Sequence, residues 1–294
     1  MEQVQGKNAF VTGGASGIGL GMVRAFVNAG MRVAIADLRA DHLEAAVKSL
    51  DAGDRVVPLK LDVTDRQAYA RVAREAEQAL GAIHVLCNNA GIGLAGPAKD
   101  ATYDDWDWVL GVNLGGVVNG IVTMVPRMLK HGEGGHIVNT SSMSGIMPNP
   151  GTIQYTAAKA AVVAISEVLR TELAAANIGV SAFCPGPVQT QIQKSGETRP
   201  ATLARTGYAE ADKRRAANLN AKLWMDPNKV GELVLEGIRK NWLYIFTHNE
   251  FGPGIKERCE ALMAAVPKGE PNPEFVAAVP FLLHNAIFTE KRRE

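Results

Sequence analysis

Asn8-Ala9-Phe10-Val11-Thr12-Gly13-Gly14-Ala15-Ser16-Gly17-Ile18-Gly19 reads as a short apolar strand that runs straight into a glycine-rich turn. Val23, Phe26 and Val27 then recur on a helical period. Strand, turn and helix in that order give the glycines a purpose. They permit positive φ and let the backbone approach a pyrophosphate, whose charge a helix N-terminus stabilises. The spacing G-x-x-x-G-x-G differs from the usual dinucleotide fingerprint G-x-G-x-x-G. The plainer alternative is a tight turn with packing glycines.

Working outward, Arg32-Val33-Ala34-Ile35-Ala36-Asp37 is a second strand ending in an acid 18 residues past Gly19. A carboxylate there can accept hydrogen bonds from the adenosine ribose hydroxyls and would repel a 2′-phosphate, which favours NAD over NADP. Arg39 tempers that preference, whereas Ala15 and Ser16 offer no basic group for a phosphate. A third strand over Val56–Leu61 leads to Asp62 and Val63, where an adenine amino group could be met, and Asp65 reads as a helix N-cap. Ile83–Cys87 is a fourth strand, followed by Asn88-Asn89-Ala90-Gly91. Strands alternating with helices over short connections predict a Rossmann-type, doubly wound parallel α/β sheet of about seven strands, with helices on both faces. Ligands bind such sheets off the carboxyl ends of the strands, and every segment named above lies at such an end.

Further along, Asp104–Lys130 is a long helical stretch in which Asn113 is polar among apolar residues and needs a partner. Gly135–Thr140 is a fifth strand, followed by Ser141 and Ser142, and Val180–Cys184 is a sixth, followed by Pro185-Gly186-Pro187-Val188-Gln189-Thr190. Between them, Gln154-Tyr155-Thr156-Ala157-Ala158-Lys159 opens a helix that ends near Gly179. Tyr155 and Lys159 are four residues apart and share one helix face. A cation held there favours the phenolate. Tyrosine starts near pKa ~10 and each unit is worth roughly 1.4 kcal/mol, so bringing it close to neutrality takes about 4 kcal/mol. A nearby cation in a partly desolvated site supplies much of that, making a proton-transfer group for near-neutral pH. Taken alone, the pair also fits an ordinary amphipathic helix.

Residues 191–225 carry weak periodicity and are expected to form a mobile substrate lid. Asp226-Pro227 starts another helix, and Trp242–Thr247 is a seventh strand. No linker divides two domains. The expected organisation is a catalytic domain over 1–250 with a C-terminal helix and extension, 251–294, packed on it.

The bulk numbers agree. A chain of 294 residues with 47% hydrophobic and 21% charged residues can bury a large core, and a net charge of +1 argues against a nucleic-acid surface. The basic clusters Lys213-Arg214-Arg215 and Lys291-Arg292-Arg293 read as solvated faces. Cys87, Cys184 and Cys259 show no C-x-x-C spacing, and the histidines show no metal-ligand spacing, so unpaired thiols in a reducing compartment and no metal are expected. The first residues lack a signal-peptide profile and no apolar run reaches membrane-spanning length, so a cytoplasmic protein is expected.

Taken together, these residues resemble the short-chain dehydrogenase/reductase family over roughly residues 6–190. Thr12-Gly13…Gly17-Ile18-Gly19 fits its T-G-x-x-x-G-x-G cofactor turn, Asn88-Asn89-Ala90-Gly91 fits N-N-A-G, and Pro185-Gly186…Val188…Thr190 fits P-G-x-V-x-T, which meets the nicotinamide carboxamide. Asn113, Ser142, Tyr155 and Lys159 fit its catalytic tetrad; Ser142 is preferred to Ser141 because it lies 13 residues before the tyrosine. The resemblance implies that Tyr155 takes the hydroxyl proton of an alcohol while the nicotinamide takes the hydride. Ser142 orients the substrate oxygen, Lys159 lowers the Tyr155 pKa and holds the nicotinamide ribose, and Asn113 anchors a water. It also implies a homodimer or homotetramer through the helices at 104–130 and 155–177. Thr102–Asn113, Val125-Pro126-Arg127-Met128 and Gly135-His136-Ile137-Val138 look more narrowly like the bacterial Cα-dehydrogenases, which oxidise the benzylic alcohol of lignin-type β-aryl ethers. A substrate wall of Ile92, Leu94, Met143, Ile146, Met147, Gln189 and Ile192 would suit a bulky aromatic secondary alcohol, although the methionines fit plain core equally well. Other readings are a ketoreductase or hydroxysteroid-type dehydrogenase, an NAD-sensing module, and an interaction protein built on its long helices.

Overall fold

In the computed structural model, which describes residues 1–211 and 223–290, β1 (Asn8–Thr12) lies near the middle of a seven-stranded parallel sheet. The other strands are β2 (Arg32–Asp37), β3 (Val56–Lys60), β4 (Val85–Asn88), β5 (Gly135–Thr140), β6 (Ile178–Cys184) and β7 (Tyr244–Phe246). Their order is β3-β2-β1-β4-β5-β6-β7. Every residue of β1, β4 and β5 is buried, which is why their centres read as short apolar runs without alternation, and the polar residues at their ends are buried too. The strand order reverses between β1 and β4, and at such a switch point the loops diverge and leave a crevice.

One face of the sheet is covered by α1 (Gly17–Asn28), α2 (Ala40–Leu50) and α7 (Pro227–Arg239), with Met22, Phe26, Leu43, Val234 and Ile238 in the core. The other carries α3 (Arg66–Leu80), α5 (Gly116–His131) and α6 (Ile153–Glu172), which bury Tyr69, Val72, Met124 and Leu169. Asp65 caps α3 by accepting from the amides of Gln67 and Ala68, both at 2.9 Å. Asp226 caps α7 through the Asn228 amide at 2.8 Å, with Pro227 at the first helical position.

The long helical stretch expected over 104–130 is broken. It comprises α4 (Tyr103–Leu110), a π-helical turn over Gly111–Gly115, and α5. The extra residue in the wide turn falls where Asn113 points inward, a common use of π-bulges. The fourth strand begins at Val85 rather than Ile83, and the seventh is only three residues long.

The C-terminal extension packs on the body at its two ends. α8 (Gly252–Ala264) brings Gly254 up to the Met147 methyl and packs Ile255 on the cluster of Met143, Val163, Ala182 and Cys184, and the chain returns at Ile287 and at Glu290, which pairs with Arg170 at 2.5 Å. Between them Leu262, Met263, Val266 and Phe275 are exposed. Lys213-Arg214-Arg215, Lys291-Arg292-Arg293 and residues 212–222 of the expected lid lie outside the described residues.

Candidate active site

The turn after β1 depends on its glycines. Gly13 and Gly17 have φ of +60° and +49°, and a Cβ on Gly19 would stand 2.0 Å from the Gly13 carbonyl oxygen. The turn is fastened to the end of β4. The Thr12 hydroxyl accepts from the amides of Asn89 at 2.9 Å and Ala90 at 3.1 Å, and the Asn89 side chain donates back to the Thr12 carbonyl at 3.0 Å. A buried polar chain runs on below. Asn88 donates to Asn139 at 2.8 Å, and Asn139 donates to Ser166 of α6 at 3.1 Å. These bonds explain the N-N-A-G signature: the first asparagine ties β4 to β5 and the second holds the glycine turn.

A cavity of about 1080 Å³ opens over these strand ends. Every residue expected at the dinucleotide, from Gly13 through Asp37, Asp62 and Asn89 to Thr190, lines it. Asp37 accepts from the amides of Ala15 at 3.2 Å and Arg39 at 3.1 Å, which holds its carboxylate at the edge of the turn. The Arg39 guanidinium is engaged with Asp41 at 2.6 Å and Glu197 at 3.4 Å. Asp62 receives the Thr64 amide and hydroxyl. Gly186 donates to the Thr247 hydroxyl at 2.8 Å, and a Cβ on Gly17 would stand 3.0 Å from the Thr190 methyl, so the P-G-x-V-x-T segment closes against the glycine turn. Open backbone, a fixed carboxylate at the end of β2 and ample volume together fit a nicotinamide dinucleotide.

Ser142, Tyr155 and Lys159 line the same cavity. Lys159 Nζ lies 5.7 Å from the Tyr155 ring centroid and donates to the Thr140 carbonyl at 2.7 Å. Burial pushes its ammonium from the usual 10.5 down to about 8. The two serines divide. Ser141 turns its hydroxyl to the Lys159 carbonyl at 2.7 Å, whereas Ser142 accepts the Ser144 amide at 3.1 Å, which leaves its proton for another acceptor. Asn113 is fully buried and off the cavity wall. Its amide bonds both ways to Ile92, accepting from the amide at 2.8 Å and donating to the carbonyl at 2.9 Å. A Cβ on Gly91 would stand 3.1 Å from Asn113 Oδ1 and 3.5 Å from Lys159 Nζ, so the two groups meet at that glycine. The second lone pair on Oδ1 is what remains for a water.

The substrate wall differs from the expected one. Ile92 and Ile192 line the cavity; Leu94, Met143, Ile146, Met147 and Gln189 do not. Leu94 is buried with Trp108 and Tyr208, and Met143 is buried with Val163, Ala182 and Cys184. Ile146 and Met147 pack, with Phe251 and Ile255, on that same cluster; the Ile146 carbonyl accepts from Arg258, and Gly254 of α8 lies against the Met147 methyl. Gln189 spends its amide on the Trp224 carbonyl at 2.8 Å. In their place stand Trp108, Ser195, Pro200 and Leu203. Sequence reading missed these because α4 and the 192–208 segment meet only in three dimensions. The 192–208 part of the expected lid is fastened to the body: Ser195 accepts from the Gly93 amide at 2.9 Å and Arg205 pairs with Asp104 at 2.9 Å.

The geometry has a counterpart in known proteins. The family profile described as short chain dehydrogenase matches residues 7–200. A C alpha-dehydrogenase from Sphingobium sp. strain SYK-6 is 40% identical over 278 residues, 93% of this chain and 91% of that protein. The structure of a short chain dehydrogenase/reductase from Burkholderia phymatum in complex with NAD superposes with a TM-score of 0.84 at 32% identity, covering 92% of this chain and 99% of that one. The apo form of LigD from Sphingobium sp. strain SYK-6 gives 0.76 at 36% identity, over 90% and 99%. With its glycine turn, its N-N-A-G clamp and its serine, tyrosine and lysine gathered in one cavity, the chain belongs to the short-chain dehydrogenase/reductase family of oxidoreductases.

Proposed function

We propose that this enzyme uses NAD to oxidise a bulky aromatic secondary alcohol to its ketone, the substrate class being the benzylic Cα-hydroxyl of a lignin-type β-aryl ether. The observation that carries the reading is the gathering of Ser142, Tyr155 and Lys159 in the cavity that Asp37 also lines. A bound NAD supplies the hydride acceptor. The chain's own residues do the rest. Ser142 donates a hydrogen bond to the substrate oxygen and holds it beside Tyr155. Tyr155 takes the hydroxyl proton as general base. Lys159, desolvated and tied to the Thr140 carbonyl, sets a positive charge by the phenol. The Asp37 carboxylate favours a ribose diol over a 2′-phosphate, and Arg39 is already engaged by two acids. Support for the aromatic alcohol comes from the likeness to the C alpha-dehydrogenase and from an apolar wall of Ile92, Trp108, Ile192 and Leu203. Assembly as a homodimer or homotetramer through α5 and α6 belongs to the same proposal, since Val122 and Val168 stand 69% and 57% exposed on those helices.

The test is absorbance at the NADH band with NAD or NADP and a panel of alcohols: a β-aryl ether benzylic alcohol, a steroid, a sugar alcohol and a short aliphatic. Tyr155→Phe serves as the blank. Turnover with NAD confined to the aryl ether is the expected result. Turnover of the steroid or short alcohol instead would keep the mechanism and discard the substrate class, and a preference for NADP would remove the role given to Asp37.

A further inference from the structure

The wall over Tyr155 is assembled from two parts of the chain, and one side chain joins them. Arg199 belongs to the segment after β6 and is not itself on the cavity wall. Its side chain is only 10% exposed and makes three hydrogen bonds. It donates to Asp105 at 2.8 Å, to the Leu203 carbonyl at 2.5 Å and to the Arg205 carbonyl at 2.6 Å. Its guanidinium also lies 4.9 Å over the Trp108 ring.

Asp105 is fully buried at the start of α4. Its other oxygen accepts from the Thr102 amide at 3.0 Å, within a capping box. The carboxylate is therefore fixed by the helix that carries Trp108, and the arginine fork transmits that position to the backbone of residues 203–205. Trp108 and Leu203 face the cavity. A second fastening lies just beyond: Tyr208 is fully buried and accepts from Gln154 at 3.1 Å, next to Tyr155 in the chain.

We propose that Arg199 is a positioning residue for substrate selection: it locks Trp108 and Leu203 into one preformed wall, against which a bulky alcohol is held over Tyr155. The inference rests on the alcohol-oxidising function proposed above. A planar, rigid fork is what the site needs, because one side chain must serve a carboxylate, two carbonyls and an aromatic face at once. Lysine keeps the charge opposite Asp105 but cannot make the three-way connection. A short alcohol, oriented by Ser142 and Tyr155 alone, has no use for the wall.

The experiment compares the parent with Arg199→Lys on a bulky and a short secondary alcohol, together with hydrogen exchange of the peptides covering 92–110 and 192–208. Arg199→Lys is expected to raise KM for the bulky alcohol about tenfold, as for losing one charged hydrogen bond, with kcat, NAD affinity and turnover of the short alcohol within twofold of the parent. Exchange in the two peptides should quicken while the central strands stay protected. Asp105→Asn, which leaves the stack on Trp108 but weakens the fork, should shift KM in the same direction. Equal losses on both alcohols, or unchanged exchange in both peptides, would overturn the proposal. A parent that ignores the aryl ether counts against the proposed substrate alone; the KM split is then read on the largest and smallest alcohols it does oxidise.

Discussion

Lys159 sits where burial and chemistry oppose one another. The proposed mechanism needs its charge beside Tyr155, yet burial lowers its pKa from the usual 10.5 to about 8. A lysine whose folded pKa is depressed makes the unfolded chain bind more protons between those two values, so stability rises with pH across that window. Below about 8 the full cost of the buried cation is present; above 10.5 both states are neutral and it vanishes. Lys159→Met removes the cost at every pH. The variant should therefore melt above the parent at pH 7, with the gap closing as pH rises from 8 towards 10.5, while its turnover collapses. Paired melting curves of the two apo proteins across that range read the difference, and a gap that widened with pH would contradict the assignment. At this scale the helix spacing was enough to put Tyr155 and Lys159 on one face of one cavity, whereas the preference for Ser142 over Ser141 came from the family resemblance, and both serines line that cavity. The sequence was silent on Thr140, whose contribution is a carbonyl and carries no residue signature.

Elements were legible where one period dominates and illegible where a tertiary bond breaks it. β1, β2 and the glycine turn follow from local pattern. The π-helical turn at Gly111–Gly115 does not: it coincides with the two-way bond between Asn113 and Ile92, which belongs to another loop. The same limit explains the displaced substrate wall. Ile146 and Met147 follow the serine pair as pocket residues would, but α8 folds over them, and a Cβ on Gly254 would stand 2.9 Å from the Met147 methyl. Nothing local to residues 143–148 announces that cover. Met147→Lys thus becomes a test of packing rather than of specificity. It should lower stability by about 1–2 kcal/mol through an unpaired, partly buried charge. The ratio of kcat/KM between bulky and short alcohols should stay at the parent value. Thermal melts with the two-substrate assay decide it; an altered ratio at unchanged melting temperature would return Met147 to the substrate wall.

The whole molecule hangs its substrate-side segment from one helix. The chain leaves β6, sets Thr190 against Gly17 at the head of α1, lines the cavity between Gln191 and Leu203, and at Asp226–Pro227 meets the middle of the same helix. There the backbones of α1 and α7 touch. A Cβ on Gly21 would stand 2.0 Å from the Pro227 carbonyl oxygen, and one on Gly231 would stand 2.1 Å from that of Gly21. Such an approach is open only to glycine, and because its two halves are far apart in sequence, neither glycine looked distinctive there. The consequence is that the cofactor turn, the segment over the cavity and the C-terminal half share a frame that cannot slide without separating two helices. Gly231→Ala must force them apart, and overpacking of this kind costs about 1–3 kcal/mol. Gly231 is absent from the cavity wall, yet the strain falls on α1, whose first turn holds Gly17 and Gly19. The variant should therefore melt several degrees lower and also bind NAD more weakly. Gly196→Ala, where an added Cβ meets nothing within 4 Å, should do neither. Melting temperature and NAD titration on the two variants separate the outcomes: a lower melting temperature with parent NAD affinity would mean that α7 yields and α1 stays, so that the frame is stable but not stiff enough to couple its two ends.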